Sequence, residues 1–364
     1  MSFALSCRSV ARTAAGVALA LATAAPAVAA EFSLSPGQQV VGGFERYVTR
    51  DGDLFADLAR RFDVGYPELV AANPGIPPWQ PGVGRTVTAP AAFVLPAAPQ
   101  RGIVVNLGQW RLFYYPPDGG QVVTYPLGLG VIGRKTPQGV TRIVRKEPHP
   151  TWIPTASIRA EEPDLPAVVP AGPDNPLGDY ALRLGWPSYL IHGTNKPDGV
   201  GRNVSHGCIR LYPEDIQQLF GLVSVGTQVR VVNQPATAGW YGDTLYLAVY
   251  PTKSQVYQLD TEQRVTPDPF EGADKVVREA AGDDAAAIDW DAVAQAAEQR
   301  TGMPVPVGVR GAPAIAETPA PDTAMPVPDG VTAEPADAVA APAYDPSAGS
   351  PGYYPSPGYY PSNE

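Results

Sequence analysis

Apolar and polar residues alternate along the middle of the chain in a way that predicts a β-rich domain over residues 101–233. Three β-rich runs are bounded by Gly, Asp and Pro, at 103–107, 110–115 and 121–126. Turn-forming residues at 106–109 and 118–120 predict hairpin connections between them. Further strands are predicted at 140–144, 180–184, 189–192 and 228–232, and one helix at 213–220. The pattern favours a mostly β fold, a sandwich or a partly closed barrel.

A different periodicity before this domain predicts a small α+β module at 44–96. A short strand around Tyr47 is followed by apolar residues at helical spacing, Leu54, Phe55, Leu58, Ala59 and Phe62. A second helix at 67–72 ends at Asn73-Pro74, and 85–88 predicts a returning strand. The predicted order is strand, helix, helix, strand.

The region after the β-rich domain divides into an extension at 236–300 and a tail at 302–364. In the extension, 244–249 predicts a strand that completes the β-rich domain, and 288–300 an amphipathic helix that starts at Asp289. The tail is rich in Pro, Ala, Asp and Glu and ends in two copies of Ser-Pro-Gly-Tyr-Tyr-Pro. Such a segment buries too little apolar area to offset its ordering entropy, which predicts disorder.

Residues 1–30 have the features of a signal peptide. Arg8 and Arg12 precede an apolar run at 14–25, and small residues follow up to Ala30. The run is shorter than the ~20 residues that span a bilayer. We therefore expect an exported protein, in the periplasm, whose mature chain begins at Ala30 or Glu31 without a transmembrane segment.

Charge and cysteine content narrow the range of possible functions. The net charge is −10 and no basic block occurs, which argues against a nucleic-acid partner. Only two cysteines are present, and removal of the signal peptide removes Cys7. Cys208 then has no internal disulfide partner. A lone thiol in an oxidising compartment is a liability unless it is buried or performs chemistry.

The residues around Cys208 favour chemistry. Cys208 follows His192 by 16 residues, and two of the chain's three histidines lie in this stretch. A cysteine nucleophile needs a base close by, and His192 at a predicted strand end can face it across a hairpin-like return. Gly207 allows close approach to an acyl carbonyl, and the Gly207 and Cys208 amides are candidate oxyanion donors.

Two other interpretations of these residues stay open at this point. Cys208 and His192 could be a buried structural pair. His192, His206 and Cys208 could also bind zinc, although their spacing matches none of the common zinc patterns and a fourth ligand or open position would be needed.

The stretch from His192-Gly193-Thr194 to Ser205-His206-Gly207-Cys208-Ile209-Arg210-Leu211 resembles L,D-transpeptidases of the YkuD fold. The similarity extends over about 90–235, and it is strongest to the ErfK/YbiS-like branch of Gram-negative bacteria. Matching segments include Gly102–Asn106, 111–117, 126–130 and 170–178. The resemblance implies a nucleophile at Cys208, a base at His192, a ring-orienting carbonyl at Gly193, and site-lining residues Ser205, His206 and Gly207.

Arg210 matches an arginine typical of this branch. It could bind a substrate carboxylate or form a salt bridge inside the domain, and both interpretations stay open.

The resemblance also implies a reaction. Cys208 attacks the diaminopimelate carbonyl of a stem tetrapeptide, terminal D-alanine leaves, and an amine resolves the thioester. The amine belongs to another stem peptide or to an outer-membrane lipoprotein or barrel protein. No cofactor and no metal are required. The alternatives are a hydrolase or carboxypeptidase that uses the same thioester, and a non-catalytic peptidoglycan-binding protein.

The module at 44–96 resembles a LysM module, which binds peptidoglycan glycan. The resemblance rests on Gly52-Asp53, Phe62, Glu68-Leu69 and Ala72-Asn73-Pro74. Leu54-Phe55 departs from the usual Thr-Leu, and a structural spacer without glycan binding is the alternative.

Overall fold

The computed structural model describes residues 30–130, 136–205, 207–282 and 288–311. Its strands are β1 (Ala30–Ser33), β2 (Val40–Val48), β3 (Thr86–Val94), β4 (Gly102–Asn106), β5 (Arg111–Tyr115), β6 (Gln121–Pro126), β7 (Leu129–Gly130), β8 (Gly139–Pro148), β9 (Tyr180–Leu184), β10 (Leu190–His192), β11 (Asn203–Ser205), β12 (Ile209–Arg210), β13 (Gln228–Val232), β14 (Ala236–Tyr241), β15 (Thr244–Val249) and β16 (Val305–Val309). Its helices are α1 (Phe55–Arg61), α2 (Tyr66–Ala71), α3 (Ala156–Glu161), α4 (Pro213–Leu222), α5 (Lys253–Thr261), α6 (Ala273–Ala281) and α7 (Trp290–Gln299), with one 3₁₀ turn at Pro197–Gly199. None of the described helices is long and apolar enough to cross a membrane.

The principal sheet has nine strands in the order β1-β6-β5-β4-β13-β8-β9-β10-β12. Its centre is β13, which runs parallel to β4 and antiparallel to β8. At one edge β10 and β12 are parallel, with Ile191 opposite Ile209 and His192 opposite Arg210. The prediction of a mostly β fold with a partly closed sheet is confirmed.

Both faces of this sheet are buried at β4, β5 and β6, which explains the near-continuous apolar runs in these strands. On one face Ile103, Val105 and Leu112 pack with residues of β9, β10, β12 and α4. On the other face Val104, Phe113 and Val122 pack with α1, α2 and β3. The site therefore lies on a sheet that is supported from both sides.

The strand-helix-helix-strand order predicted near the N-terminus is present. Strands β2 and β3 pair from Val40–Val94 to Val48–Thr86, so both strands are longer than the sequence pattern predicted. The unit shares its core with the principal sheet, and the Tyr212 hydroxyl donates to the Val64 carbonyl at 3.2 Å. Whether this unit is a LysM module stays a prediction.

Two details of the C-terminal region differ from the sequence predictions. The strand at Thr244–Val249 does not complete the principal sheet, because it pairs with β14 on one side and β16 on the other. The boundary predicted at 302 is too early, because Val305–Val309 still forms β16, with Val307 fully buried against this second sheet. Residues 312–364, like the predicted signal peptide up to residue 29, lie outside the described residues.

The helix predicted to start at Asp289 is present as α7. The Asp289 carboxylate accepts from the Ala292 amide at 2.9 Å, which is the capping interaction that the sequence indicated. Helices α6 and α7 cover the β14-β15-β16 sheet, so the extension has a core of its own.

Candidate active site

Strand pairing at the sheet edge brings the histidine and cysteine segments together. His192 is the last residue of β10 and lies opposite Arg210 of β12. Cys208 lies directly before β12, two residues ahead of Arg210, and its side chain contacts the backbone of Ser188 and Leu190 at the start of β10. The Leu211 amide donates to the His192 carbonyl at 2.9 Å, which fixes the two segments side by side.

The His192 ring has one defined tautomer. Its Nδ1 lies 2.6 Å from the carbonyl oxygen of Gly193. A carbonyl oxygen only accepts hydrogen bonds, so Nδ1 carries the hydrogen and Nε2 has the free lone pair. The ring is therefore oriented as a base through Nε2, with Gly193 in the orienting position that the sequence resemblance implied.

Burial makes His192 a neutral imidazole. The side chain is 3% exposed. Burial, followed by the positive charge of Arg210, lowers the pKa of His192 to about 3, although hydrogen bonds to the Gly193 and Leu177 carbonyls act in the opposite direction. At neutral pH the ring is available to accept a proton.

Cys208 is half-buried, and its Sγ donates to the Ser188 carbonyl at 3.6 Å. Burial raises the pKa of the Cys208 thiol, whereas a backbone hydrogen bond at Leu190 and the charges of Arg210 and Arg183 lower it. The net direction is upward. The resting pair is therefore a thiol beside a neutral imidazole, rather than a thiolate beside an imidazolium.

Gly207 has a backbone conformation that favours glycine. Its φ of 106° lies in the region that side chains avoid. The buried Thr136 hydroxyl donates to the Gly207 carbonyl at 2.9 Å. This bond turns the carbonyl toward Thr136 and fixes the peptide unit that leads into Cys208.

Arg210 acts on both reactive groups through its charge. It lowers the pKa of His192 and also opposes the rise in the pKa of Cys208. Its backbone is fixed by reciprocal hydrogen bonds with Gly128, at 3.0 and 2.9 Å. Two interpretations of its guanidinium stay predictions: it binds a substrate carboxylate, or it forms a salt bridge inside the domain.

A buried asparagine orients the loop behind the histidine. Asn175 is fully buried and donates to the carbonyls of Pro150 and Pro170, at 2.8 and 3.0 Å. Its Oδ1 accepts from the Leu177 amide at 2.9 Å. The segment 170–178 matches the family, but sequence alone gives Asn175 no role, because the Pro150 carbonyl lies 25 residues away.

An open cleft of about 310 Å³ begins beside the thiol's hydrogen-bond partner, Ser188. Its lining includes Arg183, Trp186 and Tyr189. Ser188 has a φ of 67°, which is a strained backbone conformation for a residue with a side chain. It lies two residues before β10 and forms part of the cleft wall. These residues were not predicted as part of the site, since no motif marks them.

The remaining predicted site residues are placed only in part. Ser205 ends β11, which pairs in parallel with β7. His206 lies outside the described residues. Within the described ranges no three His, Cys, Asp or Glu side chains are grouped so that they could bind a metal ion.

Comparisons with known proteins identify the family of this chain. The family model described as YkuD, L,D-transpeptidase catalytic domain, matches residues 100–231. The probable L,D-transpeptidase YcfS of Escherichia coli (strain K12) is 39% identical over 302 residues, which cover 80% of this chain and 92% of that protein. The probable L,D-transpeptidase ErfK/SrfK of Salmonella typhimurium is 38% identical, over 71% of this chain and 83% of that protein. The NMR structure of the catalytic domain from the E. faecium L,D-transpeptidase aligns with 37% of this chain and 99% of that domain, at 26% identity and a TM-score of 0.30.

Proposed function

The chain belongs to the L,D-transpeptidase family, and on that premise we propose that it joins peptidoglycan stem peptides with Cys208 as nucleophile and His192 as base. The observation that carries the proposal is the defined tautomer of His192. Its Nδ1 is bound to the Gly193 carbonyl, which leaves Nε2 to accept the thiol proton.

The first half-reaction forms a thioester. As the Cys208 sulfur attacks the diaminopimelate carbonyl of a stem tetrapeptide, its proton passes to Nε2 of His192. Collapse of the tetrahedral intermediate breaks the amide bond to terminal D-alanine, and the departing amine takes the proton. Because both groups are neutral at rest, attack and proton transfer are coupled.

The second half-reaction resolves the thioester. The amine of an acceptor attacks the acyl carbon, its proton passes to His192, and the Cys208 thiolate leaves and is reprotonated. The negative oxygen in both steps requires donors that are already oriented, and the amides of Gly207 and Cys208 are suitable. The φ of Gly207 and the Thr136 bond support this assignment, because they fix the peptide unit between these residues.

The cleft beside Ser188 suits the peptide donor. Arg183 can pair with a carboxylate of the stem peptide, and Trp186 and Tyr189 offer apolar walls for its side chains. Acceptors of two kinds fit the chemistry, a diaminopimelate amine of another stem and a lysine amine of an outer-membrane protein. The predicted signal peptide implies that the reaction takes place in the periplasm.

The module over 44–96 is proposed to hold glycan next to the site. The exposed Trp79 ring lies 5.9 Å from the ring of Tyr66, and aromatic faces of this kind stack on sugars. The helix α1 is joined to α4 through Arg60 and Glu214, with two contacts of 2.8 Å. Glycan bound to the module would therefore have a fixed distance from Cys208.

Product analysis tests the proposal. Purified disaccharide tetrapeptides are incubated with the mature protein and with Cys208→Ala, and the products are identified by mass spectrometry. The expected result is a dimer that has lost one D-alanine, absent with Cys208→Ala. Release of D-alanine without a dimer would assign a carboxypeptidase instead, and no reaction would leave only the binding interpretation.

A further inference from the structure

The segment that begins at Ala30 is an ordered strand of the principal sheet. β1 pairs with β6, with Ala30 opposite Thr124. The backbone nitrogen of Ala30 lies 3.0 Å from Oδ2 of Asp63. Ala30 also follows the small-residue sequence Ala27-Val28-Ala29, so cleavage there creates an α-amino group on this same nitrogen.

Asp63, which contacts this nitrogen, has a second buried carboxyl group, Asp215, as its neighbour. Asp63 lies in the loop between α1 and α2, Asp215 lies in the first turn of α4, and they are 6% and 2% exposed. One oxygen of each, Oδ1 of Asp63 and Oδ2 of Asp215, is buried without a hydrogen-bond donor among the described residues. The two carboxyls are close enough that the charge of Asp63 raises the pKa of Asp215.

The nearby charges are unbalanced. Arg111 is the guanidinium that acts on both carboxyls, and it also contacts the Glu68 carboxylate at 3.1 Å. Glu214 adds negative charge beside Asp215, but it is itself paired with Arg60. Tyr212 and Tyr125 are buried neighbours that stay neutral, since the carboxylates and burial raise their pKa values.

Burial raises the pKa of Asp63 to about 7, although Arg111 and the Ala30 N–H oppose the rise. Burial also raises the pKa of Asp215, and the charge of Asp63 adds to this effect. As long as the Ala30 nitrogen is an amide, one arginine must balance two buried carboxyls. One of the pair then keeps a proton at neutral pH.

We propose that the α-ammonium group produced by cleavage between Ala29 and Ala30 is the second cation of the Asp63–Asp215 pair. Hydrolysis of this amide by a signal peptidase consumes one water, leaves a carboxylate on Ala29, and leaves an amine on Ala30 that takes up a proton. The inference depends on cleavage before Ala30 and goes beyond the proposed function, because it involves no substrate.

The consequence is a link between export and folding. The ammonium joins the N-terminal strand to the α1–α2 loop and to α4, which starts five residues after Cys208. The segment that carries the nucleophile is thereby stabilised only after the signal peptide has been removed.

Defined N-termini test the inference. Three proteins that begin at Ala29, Ala30 or Glu31 are produced from a fusion that is cut without residual residues. In the Ala29 protein the Ala30 N–H can still donate to Asp63. The positive charge of the α-ammonium group is then on Ala29, about 3.3 Å further along the strand. We expect the Ala30 protein to have the highest Tm at pH 7, by roughly 2–4 °C.

The Tm difference has a defined pH dependence. As the pH falls through the pKa values of the folded carboxyls, the ammonium loses its carboxylate partners and the difference closes. An amine that gains carboxylate partners has a raised pKa, so its contribution is complete below its ordinary value of about 7.7–8.0 and is lost at higher pH. A maximum near neutral pH is expected. Equal Tm values at pH 7, or a difference that does not vary with pH, would overturn the proposal.

Asp63→Asn, introduced into the Ala30 and Ala29 proteins, is the matched control. The Tm difference between the Ala30 and Ala29 proteins should then disappear, and a difference that persists contradicts the proposal. If Asp63→Asn does not fold, the rate of α-amine acetylation decides instead: it should be much slower in the Ala30 protein than in the Glu31 protein, and equal rates overturn the inference.

The N-terminus of protein exported by a Gram-negative host is determined by mass spectrometry. A start at Ala30 supports the proposal, and a start at Glu31 overturns it. None of these measurements uses transpeptidation, so their failure is distinguishable from failure of the proposed function.

Discussion

Two groups of buried titratable side chains lie at the two ends of the segment from Cys208 to Asp215, and burial acts differently on them. At Cys208 and His192, burial favours two neutral groups, which suits a proton transfer that occurs only during the reaction. At Asp63 and Asp215, burial favours the protonated carboxyls, whereas the positive charge of Arg111 favours the ionised carboxylates. The first group is proposed to carry out the reaction, and the second group connects two parts of the fold.

The comparison predicts a separation of effects. Substitutions at the catalytic pair should reduce the rate and leave stability almost unchanged, because one partner is half-buried and no ion pair is broken. The second group and the charged residues around it form a charge cluster, which consists of Asp63, Asp215, Arg111, Glu68, Arg60 and Glu214. Substitutions in this cluster should reduce stability and leave the rate per folded molecule unchanged. The following experiments test this separation, from the largest expected effect to the smallest.

His192→Gln should give the largest effect on rate. Loss of the base is expected to slow thioester formation by about 10²–10⁴-fold. The measurement is the rate of D-alanine release under single-turnover conditions. His149→Gln is the control, since His149 is exposed and lies 3.8 Å from Asp179 on the surface, and it should release D-alanine at the unsubstituted rate.

The pH dependence of thiol alkylation tests whether the resting pair is neutral. The pKa of Cys208 is raised by burial, so the alkylation rate should increase roughly tenfold per pH unit up to at least about pH 8.5. Iodoacetamide labelling followed by intact mass gives this rate. A plateau that is already reached at pH 6 would mean a preformed thiolate–imidazolium pair and would remove the contrast between the two groups.

Arg111→Met should give the largest loss of stability. The Arg111 side chain is fully buried and donates to Glu68, to the Asp63 carbonyl and to Thr124, at 3.1, 3.1 and 3.2 Å. Removing one partner of a buried ion pair costs about 3–5 kcal/mol. Denaturant unfolding measures the loss. Arg145→Met, on the exposed arm of β8, is the control and should change stability by about 1 kcal/mol or less.

Arg60→Gln should give the smallest effect. Arg60 contacts Glu214 with good geometry, but its side chain is 43% exposed and solvent screens the pair. We expect a loss of about 0.2–1 kcal/mol and an unchanged rate of D-alanine release. A larger loss, or a reduced rate, would mean that the charge cluster and the catalytic pair are not independent.

The sequence predicted the parts of this molecule that depend on local pattern. Alternation placed most strands of the principal sheet, and the cap at Asp289 placed α7. The strand at 305–309 was missed because composition pointed to a solvated tail, whereas pairing with β15 and burial of Val307 order it. The same long-range pairing explains why Thr244–Val249 was assigned to the wrong sheet.

For the proposed site, Cys208 and His192 were predicted from residue type and spacing, and Gly193 from family resemblance. Thr136, Asn175 and Ser188 were not assigned roles, since each has a partner at least 20 residues away in sequence. These partners are the Gly207 carbonyl, the Pro150 carbonyl and the Cys208 thiol. The Asp63–Asp215 pair was also missed. A contact between carboxyls 152 residues apart leaves no local signal in one sequence.

Intact-protein mass spectrometry after mixing with a stem tetrapeptide tests the central claim most directly. The mature protein should gain the mass of the tripeptide acyl group on Cys208, with one free D-alanine per adduct, and Cys208→Ala should gain nothing. An adduct on another residue, or crosslinked product formed by Cys208→Ala, would contradict the assignment of Cys208 as the nucleophile.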